Sequence, residues 1–308
     1  MLSSGQRLGG TAGVLIAAIL WGTTGTAATY APGLSPLAVG AVAMGIGGLL
    51  QGLIAATTII RQRRLIARHW PVLLTGTLAV AVYPLAFYSS MRYAGVTVGT
   101  VISIGSAPLL SALIETRLDG LRLSKQWASG ALIGVAGMAL LCMAESGGHG
   151  SGNGYAMAGI ALGLLAGFTY ALYSWAARRL MQGGVLPRAA MGATFGAGGL
   201  LLMPVLLLTG APLLAAWNNA AVGIYMALVP MFIGYVCYGY GLARIPASMA
   251  TTITLLEPVV AALLAVVLVG ERLPLYGWAG VTLIVASLAV ITLPLSVLRF
   301  PARRSERV

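Results

Sequence analysis

Unbroken apolar runs of about twenty residues, the length a helix needs to cross a hydrocarbon core at about 1.5 Å per residue, recur along this whole chain. That leaves few folds open. Backbone amides in hydrocarbon must pair within a helix or around a closed barrel, and barrel strands would be written as alternating stretches of about ten residues, which this sequence lacks. Of 308 residues, 59% are hydrophobic and only 8% charged, too few polar side chains to coat a soluble globule of this size. The sequence predicts an all-α integral membrane protein.

Ten transmembrane helices are expected, at about 11–30, 35–58, 71–91, 96–117, 126–143, 155–177, 189–209, 219–241, 247–268 and 275–295. Pro32, Pro36, Pro71, the Gly/Ser/Asn run 146–154, Gly183-Gly184, Pro187, Pro246 and Pro274 punctuate the joints. The first apolar run, Gly13 to Tyr30, is followed by many others and reads as a retained span, not a cleaved signal peptide. A net charge of +12 would suit nucleic acid, but the arginines lie in short clusters between apolar runs, which is a topology signal. With the amino terminus in the cytoplasm, 16 of the 18 basic residues fall inside and only Arg92 and Arg272 outside. This bias supports ten spans, cytoplasmic N- and C-termini and a bacterial-type inner membrane. Cys142 and Cys237 each fall inside a span and read as free buried thiols.

The second half echoes the first. An offset of 150 residues aligns Tyr88 with Tyr238, Pro108 with Pro258, Gly120 with Gly270, Arg122 with Arg272, Leu123 with Leu273 and Gly130 with Gly280. The matches fall on spans 3 to 5 and 8 to 10. Two units with an odd number of spans enter the membrane from opposite sides, giving an inverted-topology repeat with a site near the midplane exposed alternately to either face. The units are 1–145 and 155–298, separated by an extracytoplasmic linker 146–154 and followed by a basic cytoplasmic tail 299–308.

Ten spans, two five-helix halves and the repeated Pro…Gly-Glu-Arg-Leu signature, clearest from Pro258 to Leu273, resemble the drug/metabolite transporter superfamily, in particular its EamA-type exporters, over nearly the whole chain. The first copy departs from the signature, with Leu121 where the second has Glu271. The resemblance implies a secondary carrier that exports small metabolites. Its aromatic, small-residue-rich cavity is similar to that of YddG-type amino-acid exporters.

Candidate site residues come from intramembrane polar and aromatic side chains. In span 9, Ser248, Thr251, Thr254 and Glu257 recur at steps of three and share a helical face, which should meet protein or a water-filled cavity. Glu257 has two readings: an acid that exchanges protons or binds a substrate ammonium, or a protonated acid bonded to a neighbouring helix. The repeat does not demand a carboxylate there, since its counterpart is Ala107. Pro108 and Pro258 lack an amide hydrogen and mark expected helix breaks or hinges. In span 4, Thr100, Ser103 and Ser106 form a second polar face, for which packing is the simpler explanation and Ser103 a cavity candidate. Trp21, Tyr83, Phe87, Tyr88, Tyr173, Tyr238 and Thr254 complete the expected substrate cavity, an aromatic wall suited to a small amphipathic solute or an organic cation. Trp70, Trp127, Trp217 and Trp278 read instead as an interfacial belt. Gly159, Gly163 and Gly167, with Gly130 and Gly134, read as close helix contacts. Glu271 and Arg272 read as a cap or interfacial pair at an outer helix end.

Other classes fit less well. His69 and His149 fall in loops and neither pairs with Ser or Cys at a hydrolase spacing; metal-ligand clusters and phosphate-binding loops are absent from the sequence. The expectation is therefore a non-enzymatic transporter without cofactor or metal, working on a small molecule in the lipid bilayer, with no nucleic-acid partner. Amino acids, aromatic or neutral, are the leading cargo. The alternatives are a proton-coupled multidrug or organic-cation exporter and, from another class, a channel.

Overall fold

The computed structural model describes residues 4–145, 155–269 and 272–292. The expected linker 146–154 with His149, the pair Gly270-Glu271, the tail 299–308 and the side chain of Cys142 lie outside the described residues. Among the described residues every regular element is helical. Ten segments follow in order: α1 Gly5–Thr29, α2 Pro36–Arg68, α3 Trp70–Ala94, α4 Val96–Leu118, α5 Lys125–Glu145, α6 Ala156–Gln182, α7 Pro187–Thr209, α8 Trp217–Leu242, α9 Ala247–Leu268 and α10 Leu275–Thr292. Nine of these, all but α5, are long and apolar enough to cross a membrane. The expected tenth span, α5, is a helix of 21 residues whose apolar stretch runs between Lys125-Gln126 and Glu145.

Local chemistry places the joints. Gly95 alone links α3 to α4 at φ 89°, a backbone conformation that a side chain would strain. Beyond α4, Gly120 at φ 66° turns the chain so that the amides of Asp119 and Leu121 both donate to the carbonyl of Glu115. The two prolines expected to break helices behave differently. Pro108 lies inside α4, which continues unbroken, so no break occurs there. In α9 the helix stops at Thr254-Leu255, and Pro258 sits in the first turn of the helix that resumes at Leu256. A proline at that position has no amide for the Thr254 carbonyl, which takes the Glu257 amide at 3.0 Å instead.

Wider π-helical turns interrupt two segments, at Ala41–Ile46 in α2 and Ala227–Ile233 in α8, and a third, Ala265–Val269, closes α9. The first two touch each other, and Pro230 lies inside the second. In the packing, α2 lies on α7, α4 on α9 and α5 on α10, so each meets the segment five later. Contacts of α3 and α4 with α6 are answered by those of α8 and α9 with α1, but the first set is the more extensive. Glycines set the tightest crossings. A Cβ on Gly159 would strike the Ala94 backbone, and one on Gly167 would lie 2.7 Å from the Ser103 carbonyl oxygen. Ser287 Oγ closes the α5–α10 contact by donating to the Gly130 carbonyl at 2.7 Å. These glycines pack helices together, as their spacing suggested. Trp70, Trp217 and Trp278 are exposed at segment ends, while Trp127 is half-buried.

Candidate substrate cavity

One end of the bundle, here the basic face, carries the start of α1, the end of α2 with Arg61, Arg63, Arg64 and Arg68, and the joints α4–α5, α6–α7 and α8–α9. At this face a polar cluster ties α4, α6, α8 and α9 together. Glu115 of α4 accepts the backbone amides of Ala247 and Ser248 at 2.7 and 2.9 Å, capping the start of α9. Arg178 of α6 lies 3.8 Å from Glu115 and donates to the carbonyls of Leu242, at 2.7 Å, and Ile245. Next to it, Asp119 accepts from Trp175 Nε1 at 2.8 Å and pairs with Arg179 at 3.1 Å.

Above this cluster lies an aromatic layer. Trp21 donates its Nε1 hydrogen to the Pro230 carbonyl at 2.9 Å, a carbonyl inside the π turn of α8. Its ring sits 4.7 Å from Tyr235 and 5.2 Å from Tyr238. Each phenol pairs with another hydroxyl: Tyr173 with Tyr235 at 2.7 Å, Tyr238 with Ser174 at 2.9 Å, and Tyr170 with Thr254 at 2.8 Å. A buried hydroxyl left unpaired would cost about 1–3 kcal/mol, so this network holds the layer in a single arrangement.

Toward the opposite face the packing opens. A small pocket with a free volume of about 20 Å³, room for about one water, is lined by Trp21, Met44, Tyr83, Phe87, Tyr88, Tyr235 and Glu257 among others. Beyond it a vestibule of about 540 Å³, the size of a small-solute site, is lined by residues 24–39 of α1, α2 and their joint, by Phe87, Tyr88, Met91 and Arg92 of α3, by Thr100 and by Glu257. Glu257 therefore faces both spaces. Gly22 lets α1 approach the Glu257 backbone, where a Cβ would meet the Glu257 carbonyl oxygen at 2.8 Å. The ion pairs among the described residues are Arg178–Glu115 and Arg179–Asp119, so neither Glu257 nor Arg92 has a charged partner among them.

The sequence candidates separate into two groups. Trp21, Tyr83, Phe87, Tyr88 and Glu257 come together in the walls. Tyr173, Tyr238 and Thr254 are fully buried behind them, their hydroxyls used in the network above. Ser103 is fully buried in α4 where α6 crosses, away from the cavity, and its Oγ has no partner among the described residues. The polar face of α9 meets protein rather than a cavity: Thr251, Thr252 and Thr254 all bond back to carbonyls one turn earlier, and only Glu257 emerges. Sequence reasoning passed over Glu115, Arg178 and Arg92. The first was visible as an acid inside a span, seven residues beyond Pro108; the arginines were absorbed into the topology count.

The model of the EamA-like transporter family matches residues 8–143 and again 157–293. The chain belongs to the EamA-like transporter family. As a family member it is a multi-pass membrane transporter. Its curated relatives include a Bacillus subtilis (strain 168) protein named uncharacterized transporter YwfM, 32% identical over 280 residues, 91% of this chain and 92% of the relative. A probable terminal-alkyne amino-acid exporter of Streptantibioticus cattleyicolor is 26% identical over 88% of this chain and 92% of its own. The aromatic amino acid exporter YddG of Ancylobacter novellus is 27% identical over 82% and 85%. A crystal structure 23% identical in sequence superposes with a TM-score of 0.77 over 97% of this chain and all of the other, a likeness of fold.

Proposed function

We propose that this EamA-family transporter exports amino acids, aromatic or neutral, from a vestibule in which Glu257 binds the substrate ammonium and Arg92 its carboxylate. The carrying observation is the pair of opposite charges lining one small-solute vestibule, neither with a charged partner among the described residues, beside the rings of Phe87 and Tyr88. A zwitterion with an apolar side chain complements all three. The names of two relatives, both amino-acid exporters, support the same cargo class.

The proposed mechanism is alternating access between two five-helix halves, with α5 as the tenth span. The double match of one family model to 8–143 and 157–293, and the packing of α2, α4 and α5 each on the segment five later, support an inverted repeat. The basic face is read as cytoplasmic. In that orientation the Glu115–Arg178 cluster closes the inner end and the vestibule opens outward, an outward-facing state. Return to the inward state requires α9 to leave Glu115 and α8 to leave Arg178, with the turn at Thr254-Leu255 as the hinge.

Counterflow of labelled amino acids into proteoliposomes tests this reading, comparing the native protein with Glu257→Gln under imposed pH gradients. Saturable exchange of aromatic or neutral amino acids, reduced in the variant, is expected. Loss of gradient-driven uptake with exchange retained would recast Glu257 as a coupling acid. Transport of organic cations but no amino acid would replace the proposal with a proton-coupled drug exporter, and unsaturable flux would indicate a channel.

A further inference from the structure

A recess of about 560 Å³ lies between α2, α7 and α8 at the basic face, apart from the vestibule. Ile54, Leu186, Met191 and Val236 contribute its apolar wall, and Arg188 and Arg244 stand in the same lining. Val236 and Tyr240 of α8 are 43% and 47% exposed. The recess is therefore part of the outer surface of the bundle, where hydrocarbon is the solvent. Arg188 donates to the Ile54 carbonyl, and Arg244 donates to the Tyr240 carbonyl at 2.7 Å while lying 3.5 Å over the Tyr240 ring. Each guanidinium carries five donors, and neither has an acid partner among the described residues.

Two fixed cations at one end of an apolar groove select an amphiphile with a negative head. A soluble anion has no use for the hydrocarbon wall, and a zwitterionic headgroup would bring a third cation beside the arginines. We propose that the α2/α7/α8 groove binds one anionic phospholipid, its phosphate held by Arg188 and Arg244 and an acyl chain lying along Met191 and Val236. Arginine suits this role because its planar fork meets phosphate oxygens in pairs. The site is independent of the cargo, since it requires only that the bundle sit in a bilayer.

Native mass spectrometry of the purified full-length protein, titrated with phosphatidylglycerol or phosphatidylcholine, tests the proposal. One phosphatidylglycerol is expected to bind selectively, about twenty-five-fold more weakly in the Arg188→Gln/Arg244→Gln variant, at about fivefold per arginine. An Arg61→Gln/Arg64→Gln control, which removes two charges from the same face outside the groove, is expected to change binding less than about threefold. Val236→Trp, which fills the groove without altering charge, is expected to abolish the selective binding. Equal binding of the two lipids, equal losses in the two arginine pairs, or retention by Val236→Trp would each overturn the site. The tryptophan variant keeps the test decisive if the double arginine variant does not fold.

Discussion

The Glu115 carboxylate lies 3.8 Å from Arg178 Nε while its two oxygens hold the first amides of α9, so one acid both caps a helix and neutralises a neighbouring one. Glu115→Ala removes the nearer of two carboxylates from a partly buried guanidinium and leaves α9 without its cap, an expected loss of about 3 kcal/mol. A lowered thermal midpoint should accompany at least tenfold faster labelling of Ser248→Cys by a membrane-impermeant maleimide applied at the basic face. Unchanged labelling would show that the cluster does not seal that end.

Arg92 and Glu257 should fail in complementary ways. Arg92→Gln is expected to raise KM for an amino acid about tenfold to a hundredfold, as expected for a lost charge-assisted hydrogen bond of about 1.5–3 kcal/mol, and to leave KM for the corresponding amine nearly unchanged. Glu257→Gln should weaken both substrates, because both carry the ammonium. Identical profiles for the two variants in competition assays would separate Arg92 from substrate recognition.

Pro258→Ala supplies an amide where α9 now has none, allowing the Thr254 carbonyl to return to a regular helical bond. The break should close. The variant is expected to be at least as stable as the native protein and, if the proposed hinge lies here, to exchange substrate more slowly. Faster exchange would place the hinge elsewhere.

Gly167→Ala pushes a methyl to 2.7 Å from the Ser103 carbonyl and against Ser106 Oγ, forcing α4 and α6 apart. A loss of folded, monodisperse protein on size exclusion is expected, with Gly25→Ala as the control, since a Cβ at Gly25 meets nothing within 4 Å.

Much of this architecture was legible in the sequence because hydrocarbon enforces simple rules. Apolar length fixed most of the segments, and small residues at steps of four marked the crossings at Gly159 and Gly167. Trp21, Tyr83, Tyr88 and Glu257 carry polar atoms inside spans, where each needs a partner or a cavity, and Phe87 lies one helical turn from Tyr83. What the sequence hid is how those needs are met. Thr254 and Tyr238 have the same composition signature as a cavity wall, yet they satisfy Tyr170 and Ser174 behind it. Pro108 and Pro258 align at the 150-residue offset, but of the two helices only α9 breaks, since the surrounding packing decides whether a helix tolerates its missing bond. Arg178 was counted as a topology charge because nothing in a linear sequence reveals that Glu115 waits 63 positions earlier.

The touching π turns of α2 and α8 carry a consequence for register. Each π turn closes its ring one residue later than an α turn and so stores one surplus residue. Deleting a single residue from Ala227–Ile233 would return α8 to α geometry while leaving its two flanks close to their present register. Pro230 would then lose the wide turn that accommodates it, and its carbonyl the place where it now accepts from Trp21 at 2.9 Å. The two bulges act as spare thread wound into adjoining rods: length that lets each one twist without being cut.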